Sequence, residues 1–333
     1  MNKTMFSILK VLENQTDIIG STEISRQLKQ HGVELSERTV RYHMKILDER
    51  GLTQVFAKEG RRITEKGIEE LNQSHVSEKI GFVISRIETL SYMTSFDIIK
   101  QEGDIIINVS FFGEKDLKEA LKIMKPVFKS PFVLSDRLIL AREGEEIGDI
   151  IVPEGKIGLG TICSVTINGI FLKSGIPLVS KFGGVLQTDG PEPSRFTALI
   201  SYEGSSLDPL EIFIRSKMTD VSGAVNNGSG RILASFREVP VVCVDEVNML
   251  AKTIAGIGIG GILLIGSPNQ PLLEIPVGID KAGMVIVGGL NPVAALEESG
   301  IPTESHAMST LFEYSELKSF KDVLSGAGVK NRK

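Results

Sequence analysis

The sequence predicts an α+β protein: an N-terminal winged helix-turn-helix over residues 1–75, a connecting helix over 76–93, and an α/β domain over 94–325 built from two duplicated βαββαβ (ferredoxin-like) halves, about 94–220 and 231–325. Three observations carry this. Near residue 94 the pattern changes from helical stripes to alternating strands rich in glycine. The stretch from Ser36 to Leu47 puts an apolar stripe and a cationic stripe on opposite faces of one helix. The glycine-rich part repeats itself: Pro153-x-Gly155, Asn168 and Ser174-Gly175-Ile176-Pro177 recur as Pro276-x-Gly278, Asn291 and Ser299-Gly300-Ile301-Pro302.

A chain of 333 residues is too long for one typical core, which agrees with at least two domains. No apolar run reaches the length of a membrane span, and the first apolar residues, Met5, Ile8, Leu9 and Leu12, are spaced as a helix stripe and not as a signal peptide, so a cytoplasmic protein is expected. Cys163 and Cys243 are the only cysteines, and His31, His43, His75 and His306 form no metal-ligand pair, so no metal is expected. Net charge is -5, which excludes a protein that coats nucleic acid along its length. Residues 1–80 hold 13 Lys/Arg against 12 Asp/Glu, leaving 24 against 30 for the rest, so any DNA contact belongs to a local patch of the first domain.

In order, residues 4–14 read as a helix with Met5, Ile8, Leu9 and Leu12 inward. Ser21 or Thr22 caps a second helix, which carries Ile24 and Leu28 inward and ends before a turn at His31-Gly32. The third helix has Ser36 as N-cap, Val40, Met44 and Leu47 inward, and Gly51 as stop. Leu52 to Val55, a turn at Lys58-Glu59-Gly60, and Arg61 to Thr64 read as strand, wing and return strand, followed by a closing helix over 65–73. That is the winged helix-turn-helix order. Its third helix enters the major groove, where Arg and Lys read guanine edges and Ser, Thr and Tyr hold phosphates. The DNA-contacting residues expected are Ser36, Arg38, Thr39, Arg41, Tyr42 and Lys45 on the helix, with Lys58, Arg61 and Arg62 on the wing. Ile80, Val83, Ile84, Ile87 and Leu90 then share one face, as a dimer seam or as a face packed on the C-terminal domain.

Beyond residue 94, Thr94–Lys100 and Asp104–Phe112 are expected as a hairpin, the second strand half-buried through Ile105, Ile107, Val109 and Phe111. The two repeat copies are expected side by side, joined across the polar stretch from Ser222 to Gly230. Asn168 and Asn291 are placed at strand-to-helix turns, Asn291 as the cap before Pro292. Hydroxyls and free N–H groups at a helix start suit a carboxylate or phosphate, so Thr161, Ser164, Thr166, Asn168 and Asn291 are candidate ligand residues, with Lys181, Arg195 and Arg237 as carboxylate clamps. Gly256-Ile-Gly-Ile-Gly-Gly261 is not a dinucleotide fingerprint, because a strand follows it where that motif needs a helix. Cys163 with His306 has no positioned third group, so a buried structural cysteine is expected.

Ser36-Glu37-Arg38-Thr39-Val40-Arg41-Tyr42-His43, Gly81-Phe82-Val83-Ile84, Gly158-x-Gly160-Thr161-x-Cys163-Ser164, Lys181-Phe182-Gly183-Gly184-Val185, Ser206-Leu207-Asp208-Pro209 and Ala234-Ser235-Phe236-Arg237 together resemble the archaeal nitrogen repressor family over nearly the whole chain. The resemblance implies a dimeric, non-enzymatic repressor of nitrogen-assimilation genes that binds inverted-repeat operator DNA and is released by the effector 2-oxoglutarate, with no other cofactor. It also implies further partners for a one-domain member, a second regulatory subunit or general transcription factors. Two other readings stand beside it: an amino-acid-responsive transcription regulator, since ferredoxin-like modules also sense amino acids, and an enzyme fused to a DNA-binding domain.

Overall fold

The computed structural model describes residues 3–13, 18–30, 33, 35–57, 59–73 and 81–326 and separates two compact units, Met1–Ile80 and Gly81–Lys333. In the first unit, α1 (Lys3–Glu13), α2 (Ser21–Gln30) and α3 (Glu37–Glu49) precede a hairpin of β1 (Thr53–Phe56) and β2 (Gly60–Ile63) and a closing α4 (Glu65–Gln73). The inward stripes pack as their spacing requires: Ile8, Leu9, Leu12, Ile24, Leu28, Val40, Met44 and Leu47 are all at or below 1% exposure. Ser36 caps α3 by accepting from the Thr39 amide at 3.2 Å. Ile19 exchanges backbone hydrogen bonds with Arg61, an isolated bridge that adds Ile19 to β2 of the hairpin. A Cβ on Gly60 would stand 2.3 Å from the Ile19 carbonyl, so only glycine lets the wing approach this closely. The expected turn at His31-Gly32, the wing residue Lys58 and the stripe residue Ile80 lie outside the described residues.

The second unit opens with α5 (Phe82–Met93) and runs through β3 (Asp104–Gly113), α6 (Leu117–Phe128), β4 (Arg137–Arg142), the short pair β5 (Glu146–Ile147) and β6 (Ile150–Ile151), β7 (Lys156–Ile162), α7 (Val165–Lys173), β8 (Val179–Asp189) and β9 (Glu192–Ser201). After α8 (Pro209–Arg215) and α9 (Val221–Asn227) come β10 (Ser229–Pro240), α10 (Val244–Gly256), β11 (Ile262–Ile265), β12 (Lys281–Val287), α11 (Asn291–Glu298), β13 (Glu304–Glu313), β14 (Lys318–Ser319) and α12 (Phe320–Gly326). The strand-helix-strand-strand-helix-strand order therefore occurs twice, once from β3 to β8 and once from β10 to β13. The stretch Ser222–Gly230 is an ordered helix leading into a strand, with Gly228 at φ 78° as the stop, and not a linker between halves. Its polar composition is that of a short capped helix whose buried side is only Val221, Gly223 and Ala224.

Two expectations about the strands are corrected. Of the expected first strand, Thr94–Lys100, only a bridge between Asp97 and Glu102 is present, while β3 is buried on both faces from Ile105 to Phe112. It is a central strand covered on both sides, and alternation with polar residues appears only where one face meets water. The halves also do not lie side by side as self-contained modules. The two five-stranded sheets run β13-β3-β7-β4-β14 and β9-β8-β10-β12-β11, with every pair antiparallel. In each, the first, third and second strands of one half are neighbours in that order, and the place beside the first strand is taken by the fourth strand of the other half. β8 pairs with β10 over ten residues and β13 pairs with β3 over seven. One hydrophobic core consequently runs through both halves, from Ile105 and Leu121 to Val285 and Leu296.

Candidate nucleic-acid interface and effector site

On α3, the face opposite Val40, Met44 and Leu47 presents Arg38, Arg41, Tyr42 and Lys45, all exposed, with Tyr42 at 63%. Arg41 is held by Glu37 one turn back, and Lys45 lies 4.0 Å from Glu49. Both pairs are exposed, so a phosphate or base edge can displace the carboxylates at little cost. Thr39 shares a hydrogen bond of 2.8 Å with Ser36 at the start of the helix. Arg62 is exposed on β2. Arg61 corrects the expectation of a DNA-gripping wing residue: its guanidinium clamps Asp48 of α3 through Nε at 2.9 and 2.8 Å and Nη2 at 2.8 Å, both side chains about one-fifth exposed. Asp48 also accepts from Thr53 at 2.6 Å, so this trio fixes the wing to the recognition helix. Sequence spacing placed Arg61 on the wing but could not show the carboxylate waiting beneath it.

In the second unit, three candidate residues meet around a buried guanidinium. Arg237, on β10, is 1% exposed; its Nη1 donates to the Ser164 carbonyl at 2.9 Å and to Asn168 Oδ1, its Nη2 donates to Ser164 Oγ at 2.9 Å, and its Nε has no partner. Among the described residues no carboxylate joins it, and burial lowers its pKa to about 10, which still leaves it a cation near neutrality. Asn168 passes the network outward, donating to Ser180 Oγ at 3.1 Å and the Leu178 carbonyl at 3.4 Å. Asn168 and Ser180 line a groove of about 720 Å³, together with Lys181, Glu88, Glu203 and an apolar wall of Ile84, Ile87, Leu178 and Phe182.

The remaining candidates are placed elsewhere. Asn168 is the fourth residue of α7, inside the helix and not at the strand-to-helix turn expected of it, and Asn291 is the first residue of α11 and not its cap. Asn291 is fully buried, accepting from the Leu233 amide at 2.8 Å and donating to the carbonyls of Phe132 and Leu233. Thr166 is equally buried and ties α7 to β3 through both backbone groups of Ile106. Thr161 is buried against the Asn108 amide at 3.4 Å. Thr166 and Asn291 spend their polar groups on the backbone within the fold, as buried side chains do. Arg195 lies exposed on β9, bonded to Gln187, and does not line the groove.

Behind α7 is a small enclosed cavity of 10 Å³ lined by Cys163, Ser164, Tyr202, Asp208 and Asn108. Burial pushes the Cys163 thiol up to about 12 and raises the Tyr202 phenol well above its ordinary value, so Cys163 is held as a neutral thiol, and His306 is bonded instead to Glu304 at 3.2 Å. Asp208 caps α8, accepting from the Leu210 and Glu211 amides at 2.9 and 3.3 Å. Burial, with the Glu211 charge beside it, pushes its carboxyl up to about 7, against the lowering effect of those amides and of Arg86.

With this geometry in view, comparison with known proteins places the chain. Residues 80–319 match the family described as NrpR regulatory domains NRD1 and 2, and residues 6–71 match the Ribonuclease R winged-helix domain. The global nitrogen regulator NrpRI of Methanosarcina mazei is 35% identical over 96% of this chain and 98% of its own. The chain belongs to the NrpR family of nitrogen regulators. NrpR regulators of Methanococcus maripaludis and Methanocaldococcus jannaschii are each 32% identical over 93% and 96% of this chain, which spans 54% and 56% of theirs. A nitrogen repressor-like protein of Methanococcus jannaschii, solved by crystallography, superposes with a TM-score of 0.62 at 35% identity, covering 72% of this chain and 98% of that one. Within the NrpR family resemblance, the motif residues Cys163, Ser164, Lys181, Asp208 and Arg237 stand around one cavity and the adjoining groove. Ser180 and Asn108 were not foreseen as site residues; the one available signal for Ser180 was its place beside Lys181. No helix of the described residues is long and apolar enough to cross a membrane, and the described residues contain no group of three or more His, Cys, Asp or Glu that could hold a metal.

Proposed function

We propose that the chain represses nitrogen-assimilation genes by binding inverted-repeat operator DNA as a dimer and that 2-oxoglutarate releases it. The observation that carries the DNA half is the exposed cationic face of α3, four residues that the core does not use, on a helix whose opposite face is fully buried. Two such faces, one per subunit, are needed, since a single lightly basic reader makes too few phosphate contacts for tight binding.

For the effector half, the groove over Asn168, Ser180 and Lys181 supplies an ammonium, a hydroxyl and, behind Asn168, a buried guanidinium that lacks a carboxylate partner. Glu88 and Glu203 line the same groove and oppose an anion, so the reading requires Lys181 and Arg237 to outweigh them. The ligand acts by binding the DNA-incompetent form more tightly than the competent one. Both shells of α5 meet this region: Ile87 packs in the cluster with Cys163 and Tyr202, while Glu88 and Ser91 face the groove. The buried α5 stripe packs on its own domain, so it supplies no dimer seam.

The deciding experiment is an operator gel shift titrated with 2-oxoglutarate at fixed salt. Release by 2-oxoglutarate is the expected result. Retention with 2-oxoglutarate but release by an amino acid would move the reading to an amino-acid-responsive regulator. Turnover of a small molecule that is lost in Cys163→Ala would move it to an enzyme, a reading that a buried neutral thiol does not favour.

A further inference from the structure

The two sheets differ at one edge. In the first, the outer side of β4 is closed by β14, which pairs Lys318 with Leu138 and Ser319 with Arg137. The following helix α12 then lays Phe320 on Phe128 of α6, ring centroids 4.4 Å apart. In the second sheet the strand at the same place in the repeat is β11, and its outer side pairs with no strand of the described residues. A groove of 380 Å³ lies there instead, between β11 and α10, lined by Asn248, Ala251, Lys252, Ala255 and Ile262 to Ile265. The strand is Ile262-Leu263-Leu264-Ile265, four partly buried apolar residues with no charge or proline, its register on β12 shifting once between Ile262 and Leu264. Native sheets protect such edges, and the first sheet does so with a strand and a helix.

We infer that the edge of β11 and the exposed stripe of α10 form an interface with a second copy of this chain. Two features favour a second copy as the occupant. Ile-Leu-Leu-Ile reads the same in both directions, so antiparallel pairing of β11 with its two-fold mate opposes like residues and continues the sheet across the axis. On α10, Asp245, Asn248, Lys252 and Ala255 follow one another at helical spacing and all are exposed, and neither Asp245 nor Lys252 is in an ion pair among the described residues. An antiparallel second copy of α10 sets Asp245 against Lys252 of its mate, twice by symmetry, with the 63%-exposed Met249 near the middle. The inference deepens the dimer reading above by giving the dimer a surface.

The test measures the dimer dissociation constant of the full chain by sedimentation across a dilution series, with circular dichroism and melting to show that each variant folds. Lys252→Glu sets a carboxylate against Asp245 at both pairs and is expected to weaken the dimer about tenfold; Asp245→Lys does the same with two ammonium groups. The double reversal restores both pairs and recovers the wild-type constant to within about threefold. Leu263→Lys, in the groove wall, is expected to leave a folded monomer. The inference is overturned by a wild-type chain that stays monomeric at ~100 µM, by single reversals that leave the constant unchanged, or by a double reversal that does not recover it. A chain that ignores these variants yet binds operator and releases it with 2-oxoglutarate sinks this interface alone and leaves the functional reading intact.

Discussion

Asp208→Asn isolates a pH-dependent contribution that falls in the acid-to-neutral range in the regulatory unit. In the wild type the Asp208 carboxyl titrates at about 7 in the folded chain, against 3.8 as its ordinary value. Between those two values the folded chain binds the proton more tightly than the unfolded one, so stability falls as pH rises through the window and levels off above about pH 7. The gap of about three units corresponds to a loss of up to about 4 kcal/mol between about pH 4 and about pH 8. That figure is an upper bound, because Asp208 keeps partial contact with water. Asparagine caps a helix about as well as aspartate and carries no charge to bury, so the variant keeps the bonds to Leu210 and Glu211 and loses the pH slope. Urea unfolding of wild type and variant, followed by circular dichroism at several pH values across the window, gives the difference directly. The expected result is a variant more stable than wild type at about pH 8 and no more stable at about pH 4. Parallel pH curves for the two proteins would refute the argument, since they would place the Asp208 proton near its ordinary value.

Arg41→Ala and Lys45→Ala together are expected to lower operator affinity at least about tenfold and to flatten its salt dependence, with melting unchanged; gel shifts at two salt concentrations check this. Arg61→Ala acts on stability instead, costing about 1–3 kcal/mol of the N-terminal unit because Asp48 is left without its bidentate partner, as read by the urea midpoint. Asn291→Leu leaves the Leu233 amide and the Phe132 carbonyl without the Asn291 bonds in the core, while the Leu233 carbonyl keeps the Gly288 amide, and is expected to cost about 2–4 kcal/mol, checked by the same unfolding assay. Lys181→Ala is expected to abolish release by 2-oxoglutarate while repression persists, whereas Arg195→Ala leaves release unchanged, because only Lys181 lines the groove; titrated gel shifts separate them.

The sequence by itself determined the local features of this protein. Helical spacing placed Val40, Met44 and Leu47 inside and Arg38, Arg41, Tyr42 and Lys45 outside, because a helix's two faces are dictated by residues three and four apart. The repeated Pro, Asn and Ser-Gly-Ile-Pro positions announced a second copy of a βαββαβ order, and the strands and helices of both copies follow it. Tertiary structure alone decided who neighbours whom. Alternation tells which face of a strand is buried but carries nothing about the partner at its edge, so the exchange of β8 and β13 between the halves, and the uncovered edge of β11, were invisible in the chain. The same holds for polar side chains. Arg61, Arg237, Thr166 and Asn291 all read as ligand-binding residues by type, and their roles divided only when folding brought Asp48 to the first, Ser164 and Asn168 to the second, Ile106 to the third and Leu233 to the fourth. A hydrogen bond between residues far apart in sequence is set by packing, and packing is the level at which this protein separates residues that hold the fold from those left to meet a ligand.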